Sequence, residues 1–267
     1  MILDAILDTK RREVAERKAL RPLAVLESSL AHSSAPVRAF DAALRRADGV
    51  AVIAEIKRKS PSGGELRPGA SASELAVTYA DNGATALSVL TDVTYFGGTD
   101  DDLRVARQVS GLPVLRKDFV VDEYQVYEAR AMGADALLLI VRALSRAQLA
   151  ALLAKTHELG LTALVEAHSA DEVARALAAG ARVMGVNNRD LDTLVTDPAL
   201  ALRLRPQVPA ECLFVAESGV STPDQIAALR DVGADAVLIG EALVRAPDPG
   251  VKLRQLVSAG ARERAAT

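Results

Sequence analysis

Between residues 50 and 240 nearly every hydrophobic run able to form a buried strand ends in a chemically competent residue. VAVIAEIK closes on Glu55 and Lys57, LPVLRKDF on Lys117 and Phe119, LTALVEAH on Glu166, VMGVNNR on Asn187 and Arg189, and CLFVAESG on Glu217 and Ser218. Strand residues i and i+2 point to one face. Glu55/Lys57, Lys117/Phe119 and Asn187/Arg189 are therefore same-face doublets, each aiming its chemistry at one point. Three cations (Lys57, Lys117, Arg189) and three carboxylates (Glu55, Glu166, Glu217) would hold an anionic substrate and move protons on it. The same six residues could instead build a salt-bridge network at the strand ends. Buried ion pairs are weak stability devices, however, because desolvation can exceed the Coulombic gain, so catalysis is the better reading of all six together.

The elements that must position these groups follow from periodicity. Residues 1–48 read as a helical extension, with Ile2, Ile6 and Leu7 and then Leu23, Leu26 and Leu30 at helical spacing among charges. From residue 49 to 262, β-rich runs alternate with Ala-rich amphipathic segments. The runs centre near 53, 87, 114, 138, 163, 184, 214 and 237, the spacing of a strand plus a crossover helix. Thr222 before Pro223 predicts an N-cap, and Gly83, Gly133, Gly160, Gly180 and Gly233 predict helix ends. Eight such units predict a closed (β/α)8 TIM barrel behind the N-terminal helical extension, the two forming a single structural domain. A doubly wound sheet fits less well, since SPSGG after the first strand does not match its Gly-rich phosphate fingerprint.

In such a barrel the site lies at the C-terminal strand ends, where the polar residues fall. Glu217-Ser218-Gly219-Val220 and Ile239-Gly240-Glu241-Ala242 end the seventh and eighth strands, where barrels often cradle a phosphate on backbone N–H groups. Gly240 alone would equally serve a tight turn; the two turns together favour phosphate. The chain has four Phe and no Trp, yet Phe96 and Phe119 both sit at strand exits. They would wall a pocket for a flat apolar ring, or pack beneath the extension.

Composition narrows the function classes. A chain of 267 residues, 50% hydrophobic and 25% charged, can bury a stable core. A net charge of -3 with both signs interspersed argues against nucleic acid or a membrane surface as partner. No apolar stretch approaches the roughly 20 residues of a membrane span, and the first residues read as charged helix rather than a secretory signal. The single Cys212 sits in a strand-like run and reads as a buried thiol of a cytoplasmic protein.

AEIKRKSPS (54–62), TYFGG (94–98), LRKDF (115–119), LVEAH (164–168), GVNNRDL (185–191) and AESGV (216–220) together closely resemble the indole-3-glycerol-phosphate synthase family. The resemblance covers nearly the whole chain and includes the N-terminal extension. It implies ring closure of 1-(2-carboxyphenylamino)-1-deoxyribulose 5-phosphate, with loss of carbon dioxide and water, by a carboxy-lyase that uses no metal or organic cofactor and works as a monomer. It also implies that Lys117 is the principal general acid and Glu166 the acid/base partner in dehydration. Lys57 would meet the substrate carboxylate and share the acid role, with Glu55 and Glu217 orienting the ammonium groups. Asn187 and Arg189 would position the anthranilate end. Ser60, Ser218, Gly219, Gly240 and the N–H of Glu241 would hold the phosphate beside Ile239, and Phe96, Phe119, Leu138 and Leu191 would line the aryl pocket. Some family members carry a small hydroxyl residue at position 241, so the Glu241 side chain is expected to turn outward. A lysine acting as acid near neutrality is expected to have its pKa lowered by burial or by a neighbouring cation.

Two other readings remain on residues alone: a Schiff-base aldolase, whose lysine would sit among such carboxylates, and a noncatalytic barrel that binds a phosphorylated ligand. The extension is read as a lid that excludes water during dehydration, although a packing cap under the barrel would look the same in sequence.

Overall fold

A computed structural model describes residues 2–32, 35–45, 47–61 and 63–261. The ends assigned to the extension and barrel at residues 1 and 262, and Ser62 of the AEIKRKSPS run, lie outside the described residues.

Eight parallel strands close on themselves: β1 (Ala51–Ile56), β2 (Ala86–Leu90), β3 (Val114–Lys117), β4 (Ala136–Ile140), β5 (Thr162–Ala167), β6 (Val183–Asn187), β7 (Leu213–Glu217) and β8 (Ala236–Ile239). Each pairs with its sequence neighbours, and β8 returns to β1 with Ala51 opposite Ala236. The strands are buried on both faces, which is why they read as continuous apolar runs rather than alternating ones. Alternate residues fill the interior, among them Ala51 and Ile53, Leu115, Leu138 and Ile140, Leu164, Val215 and Leu238. The intervening positions, such as Val52, Leu87, Leu139, Val165 and Phe214, pack outward against the helices. Continuing the inward alternation one step places Glu55, Lys117, Glu166, Asn187 and Glu217 at the C-terminal mouth.

Local chemistry sets the helix boundaries. Thr222 accepts from Gln225 N while the Gln225 side chain accepts from Thr222 N, with Pro223 in the first turn, as expected of the N-cap. The same reciprocal arrangement opens helices after Asp122 and Ser145. The five glycines expected to end helices all adopt left-handed φ.

The extension contributes three helices, α1 (Ile2–Leu20), α2 (Leu23–His32) and α3 (Phe40–Arg45). Their positions answer the choice between lid and cap: different helices occupy both ends. The apolar stripe of α1, Leu3, Ile6 and Leu7, packs with Phe119, Leu138 and Ile140 at the mouth, and Ile2, Leu3 and Ile6 line the cavity there. Phe40 and Leu44 of α3 are buried against the first residues of the strands, including Ala51, Ala86 and Ala136. There Asp135 accepts from Arg38 N at 2.7 Å and Val114 N at 2.9 Å, tying the approach to α3 to the strand starts. The α2 segment packs on the helix Glu123–Met132. Cys212 is buried and its thiol is pushed up by that burial, in line with a structural role. Among the described residues no helix is long and apolar enough to cross a membrane.

Candidate active site

A cavity of about 420 Å³ opens at the C-terminal ends of the strands. Every candidate catalytic or binding residue named from the sequence lines it. The six central groups Glu55, Lys57, Lys117, Glu166, Asn187 and Glu217 meet there, as do Arg189, Ser60, Ser218, Gly219, Ile239, Gly240 and Glu241 on one side and Phe96, Phe119, Leu138 and Leu191 on the other.

The Lys117 ammonium is the hub. Its Nζ lies 2.8 Å from Glu166 Oε2 and 2.6 Å from Glu217 Oε2. Lys57 Nζ lies 2.7 Å from Glu55 Oε1, so the first same-face doublet is an ion pair. Three carboxylates thus face two ammonium groups in a site where Glu55, Glu166 and Glu217 are 4%, 3% and 1% exposed. Burial pushes the Lys117 ammonium down, but Glu166, Glu217 and Glu55 outweigh it and hold the group above the usual lysine range. That reverses the expectation of a lowered lysine pKa: the nearest charges are anions, and attraction to them wins over desolvation. The excess negative charge falls on Glu217, whose carboxyl is pushed up to about 8 by burial, with Lys117 opposing and Glu166 and Glu55 adding to the rise. Burial also acts to raise Glu166, yet the Lys117 charge and hydrogen bond hold it below the usual carboxylate range. The two carboxylates sharing one lysine are therefore driven apart, one ionised and one able to keep a proton near neutrality.

Room for these side chains comes from two glycines. A Cβ at Gly185 of β6 would lie 2.2 Å from Glu217 Oε1, and one at Gly240 would lie 2.3 Å from Glu55 Oε1. Glycine after β8 is thus required by Glu55, whatever else the turn does. At the neighbouring turn Ser218 and Gly219 both take left-handed φ, 62° and 74°. Their carbonyls are drawn away by Asn188 Nδ2 at 2.9 Å and Gln225 Nε2 at 3.1 Å.

Asn187 Oδ1 accepts from Arg189 N at 3.0 Å, and the loop that follows is braced by Arg142, which donates to Asp190 and Asp192. The Glu241 side chain is 37% exposed and pairs with two arginines. It accepts from Arg245 Nε at 3.0 Å and lies 3.6 Å from Arg189, because two arginines beside the cavity offer a better environment than water alone. Phe96 and Phe119 face each other with centroids 6.0 Å apart, tilted by 37°, so both are cavity walls while also packing toward the extension.

Sequence reasoning passed over several participants. Arg245 lines the cavity and donates to Gly63 O at 2.8 Å, joining the loop after β1 to the segment after β8. Arg116 of the LRKDF run points outward, fully buried, and pairs with Asp118 at 3.2 Å and Glu128 at 3.5 Å. Lys10 is 1% exposed, with Nζ 2.8 Å from Glu13, 2.9 Å from Asp92 and 3.0 Å from Asp118. The signal for it was present: Leu3, Leu7, Lys10 and Val14 fall on one helical stripe, so the lysine occupies a core position.

A closed (β/α)8 barrel with buried, unequally paired acids and bases at its C-terminal mouth defines a barrel enzyme of proton-transfer chemistry. The likenesses to solved structures agree on the fold: 3-hexulose-6-phosphate synthase from Salmonella typhimurium superposes with a TM-score of 0.63 at 14% identity, over 79% of this chain and 98% of that one. The chain belongs to the indole-3-glycerol phosphate synthase family, whose model matches residues 3–256. It is 50% identical to the indole-3-glycerol phosphate synthase of Kineococcus radiotolerans over 97% of this chain and 96% of that protein. It is 52% identical to indole-3-glycerol phosphate synthase 2 of Streptomyces coelicolor over 96% and 98%.

Proposed function

We propose that this chain closes the indole ring in tryptophan biosynthesis, converting 1-(2-carboxyphenylamino)-1-deoxyribulose 5-phosphate to indole-3-glycerol phosphate. The observation that carries the residue assignments is the Lys117 ammonium held between Glu166 and Glu217 in a cavity walled by two phenylalanines.

In the first step the ring carbon bearing the carboxyl group attacks the ketone carbon. The new bond costs the ring its aromaticity and places positive charge on nitrogen, while the ketone oxygen gains electrons and takes a proton from Lys117. A raised lysine pKa does not prevent this, because an alkoxide is a far stronger base than an amine and draws the proton once it forms. Glu55 stabilises the cation, and Glu217 adds to this in its ionised form. Loss of carbon dioxide returns its bonding pair to the ring system and quenches that charge. In the last step the hydroxyl leaves as water, taking a proton from an acid, and the adjacent methylene loses one to a base. Glu166 serves this step, reached from Lys117 through the 2.8 Å contact.

Lys57 meets the substrate carboxylate while paired to Glu55, and shares the acid role. Asn187 and Arg189 position the anthranilate end. Ser60, Ser218, Gly219, Gly240 and the N–H of Glu241 hold the phosphate, with Ile239 beneath. Phe96, Phe119, Leu138 and Leu191 sandwich the aryl ring. The chain acts as a monomer in the cytoplasm, a compartment that suits its lone buried thiol.

The Schiff-base alternative requires a neutral amine, and both mouth lysines are ion-paired at 2.8 Å or less, which speaks against it. The test is appearance of the indole chromophore when the protein meets the ribulose phosphate; tight binding without turnover would favour the noncatalytic barrel instead.

A further inference from the structure

The ion cluster around Lys10 lies outside the six central groups yet touches the two turns that carry the aromatic walls. Asp92 ends the run after β2, and its Oδ1 accepts from Tyr95 N at 2.7 Å and Phe96 N at 3.2 Å, capping the short turn Val93–Phe96. Its other oxygen meets Lys10 Nζ at 2.9 Å. Asp118 stands between Lys117 and Phe119. Its Oδ1 accepts from Phe119 N at 2.8 Å and meets Lys10 at 3.0 Å, while Oδ2 accepts from Thr91 Oγ1 at 2.7 Å and pairs with Arg116.

One ammonium from α1 therefore joins both carboxylates, with Glu13 as its third partner. All three of Lys10, Asp92 and Asp118 are 2% exposed or less. The same interface is bolted outside the cluster, where the Tyr95 hydroxyl lies 3.1 Å from Thr9 Oγ1 and donates to Ala5 O at 3.2 Å. Helix α1 is thus tied to both turns and forms a wall of the cavity.

We propose that Lys10 is a positioning residue: from α1 it sets the separation and tilt of Phe96 and Phe119 by holding Asp92 and Asp118 together. Asp92 dictates where the Phe96 turn begins, and Asp118 fixes the peptide that launches Phe119. Without the ammonium two buried carboxylates face each other and repel, so the turns move apart and the aryl slot widens. The phosphate turns after β7 and β8 supply none of the partners of Lys10, Asp92 and Asp118 described above, and the remaining phosphate residue, Ser60, reaches this region only through its neighbour Lys59, whose Nζ donates to Thr94 O at 2.9 Å. The inference deepens the proposed ring closure and rests on it for the identity of the aryl group.

The experiment compares the full chain with Lys10→Met, Lys10→Arg and Tyr95→Phe. It reads 2-aminobenzoate binding by that ligand's own fluorescence, inorganic phosphate binding by calorimetry, and turnover. Folded Lys10→Met is expected to bind 2-aminobenzoate and to turn over about 10-fold to 100-fold less well, the scale set by a misplacement near 1 Å, with phosphate affinity unchanged. Lys10→Arg, which keeps the charge, is expected to recover most of the loss. If Lys10→Met does not fold, Tyr95→Phe carries the test, with a smaller but equally selective loss of aryl affinity. Aryl affinity equal to that of the wild type, or equal loss of aryl and phosphate affinity, would overturn the inference. A wild type that makes no indole product would instead count against the proposed reaction, since the Lys10 inference is read from 2-aminobenzoate alone; a wild type that held the probe no better than Lys10→Met would overturn it.

Discussion

Lys117 Nζ and Glu217 Oε2 lie 2.6 Å apart, and Glu166 claims the same ammonium from 2.8 Å. One lysine cannot neutralise two buried carboxylates, so Glu217 is pushed up from 4.5 to about 8, by burial first and by Glu166 and Glu55 against the pull of Lys117. Between those values the folded protein keeps a proton that the unfolded chain releases. Stability contributed by protonated Glu217 is then present at low pH and is lost as pH rises through its folded value. Glu217→Gln removes the titration. Melting temperatures from about pH 5 to about pH 9 should show the variant gaining on the wild type as pH rises, most steeply between the two values and levelling off above about pH 8. Parallel curves would mean that Glu217 is ionised throughout.

The glycine of β6 makes the same arrangement sterically possible. Gly185→Ala would put a methyl group 2.2 Å from Glu217 Oε1 and 3.2 Å from Leu164 Cδ1. Overpacking of this kind costs about 1–3 kcal/mol, and the carboxylate must leave Lys117 to relieve it. Adding Glu217→Ala to Gly185→Ala should return part of the lost stability, with a coupling of about 1 kcal/mol or more in a denaturant double-mutant cycle. Strict additivity would show that the clash is relieved elsewhere.

Glu241 competes with any anion for the arginines beside the cavity. Its pairs with Arg245 and Arg189 are half-exposed, at 3.0 and 3.6 Å. Exposed pairs contribute about 0.2–1 kcal/mol. Glu241→Ser, which preserves the backbone N–H, should therefore lower KM by no more than about fivefold and leave kcat unchanged. A raised KM would mean that the carboxylate orients the arginines usefully.

Much of this was legible in the sequence because a parallel barrel writes its plan simply. Doubly buried strands give continuous apolar runs, and an inward-facing polar residue at the end of a run reaches the mouth, as Glu55, Lys117, Glu166, Asn187 and Glu217 do, whereas Arg116, the first polar residue after Leu115, points outward. Pair chemistry was less legible. The spacing of Lys117 and Phe119 says they share a face but not that two carboxylates from β5 and β7 converge on Lys117, which reverses the direction of its pKa. Lys10 was missed because its neighbours Arg11, Arg12 and Glu13 make the segment look solvated, and its partners arrive from the ends of β2 and β3. The two ends of the barrel were also inseparable in sequence, since Ile6 and Phe40 are both hydrophobic residues of helical segments before the first strand and only the closed barrel sends one to the mouth and the other to the strand starts.

The most direct test compares wild type with Lys117→Met in a single turnover, following indole absorbance after mixing with the ribulose phosphate and measuring substrate affinity separately. The account requires wild-type turnover and a variant slowed about 10²–10⁴-fold, the range for loss of a general acid, with substrate still bound within a few-fold of the wild-type affinity. A variant that formed indole at the wild-type rate would remove Lys117 from the chemistry and contradict the account at its centre.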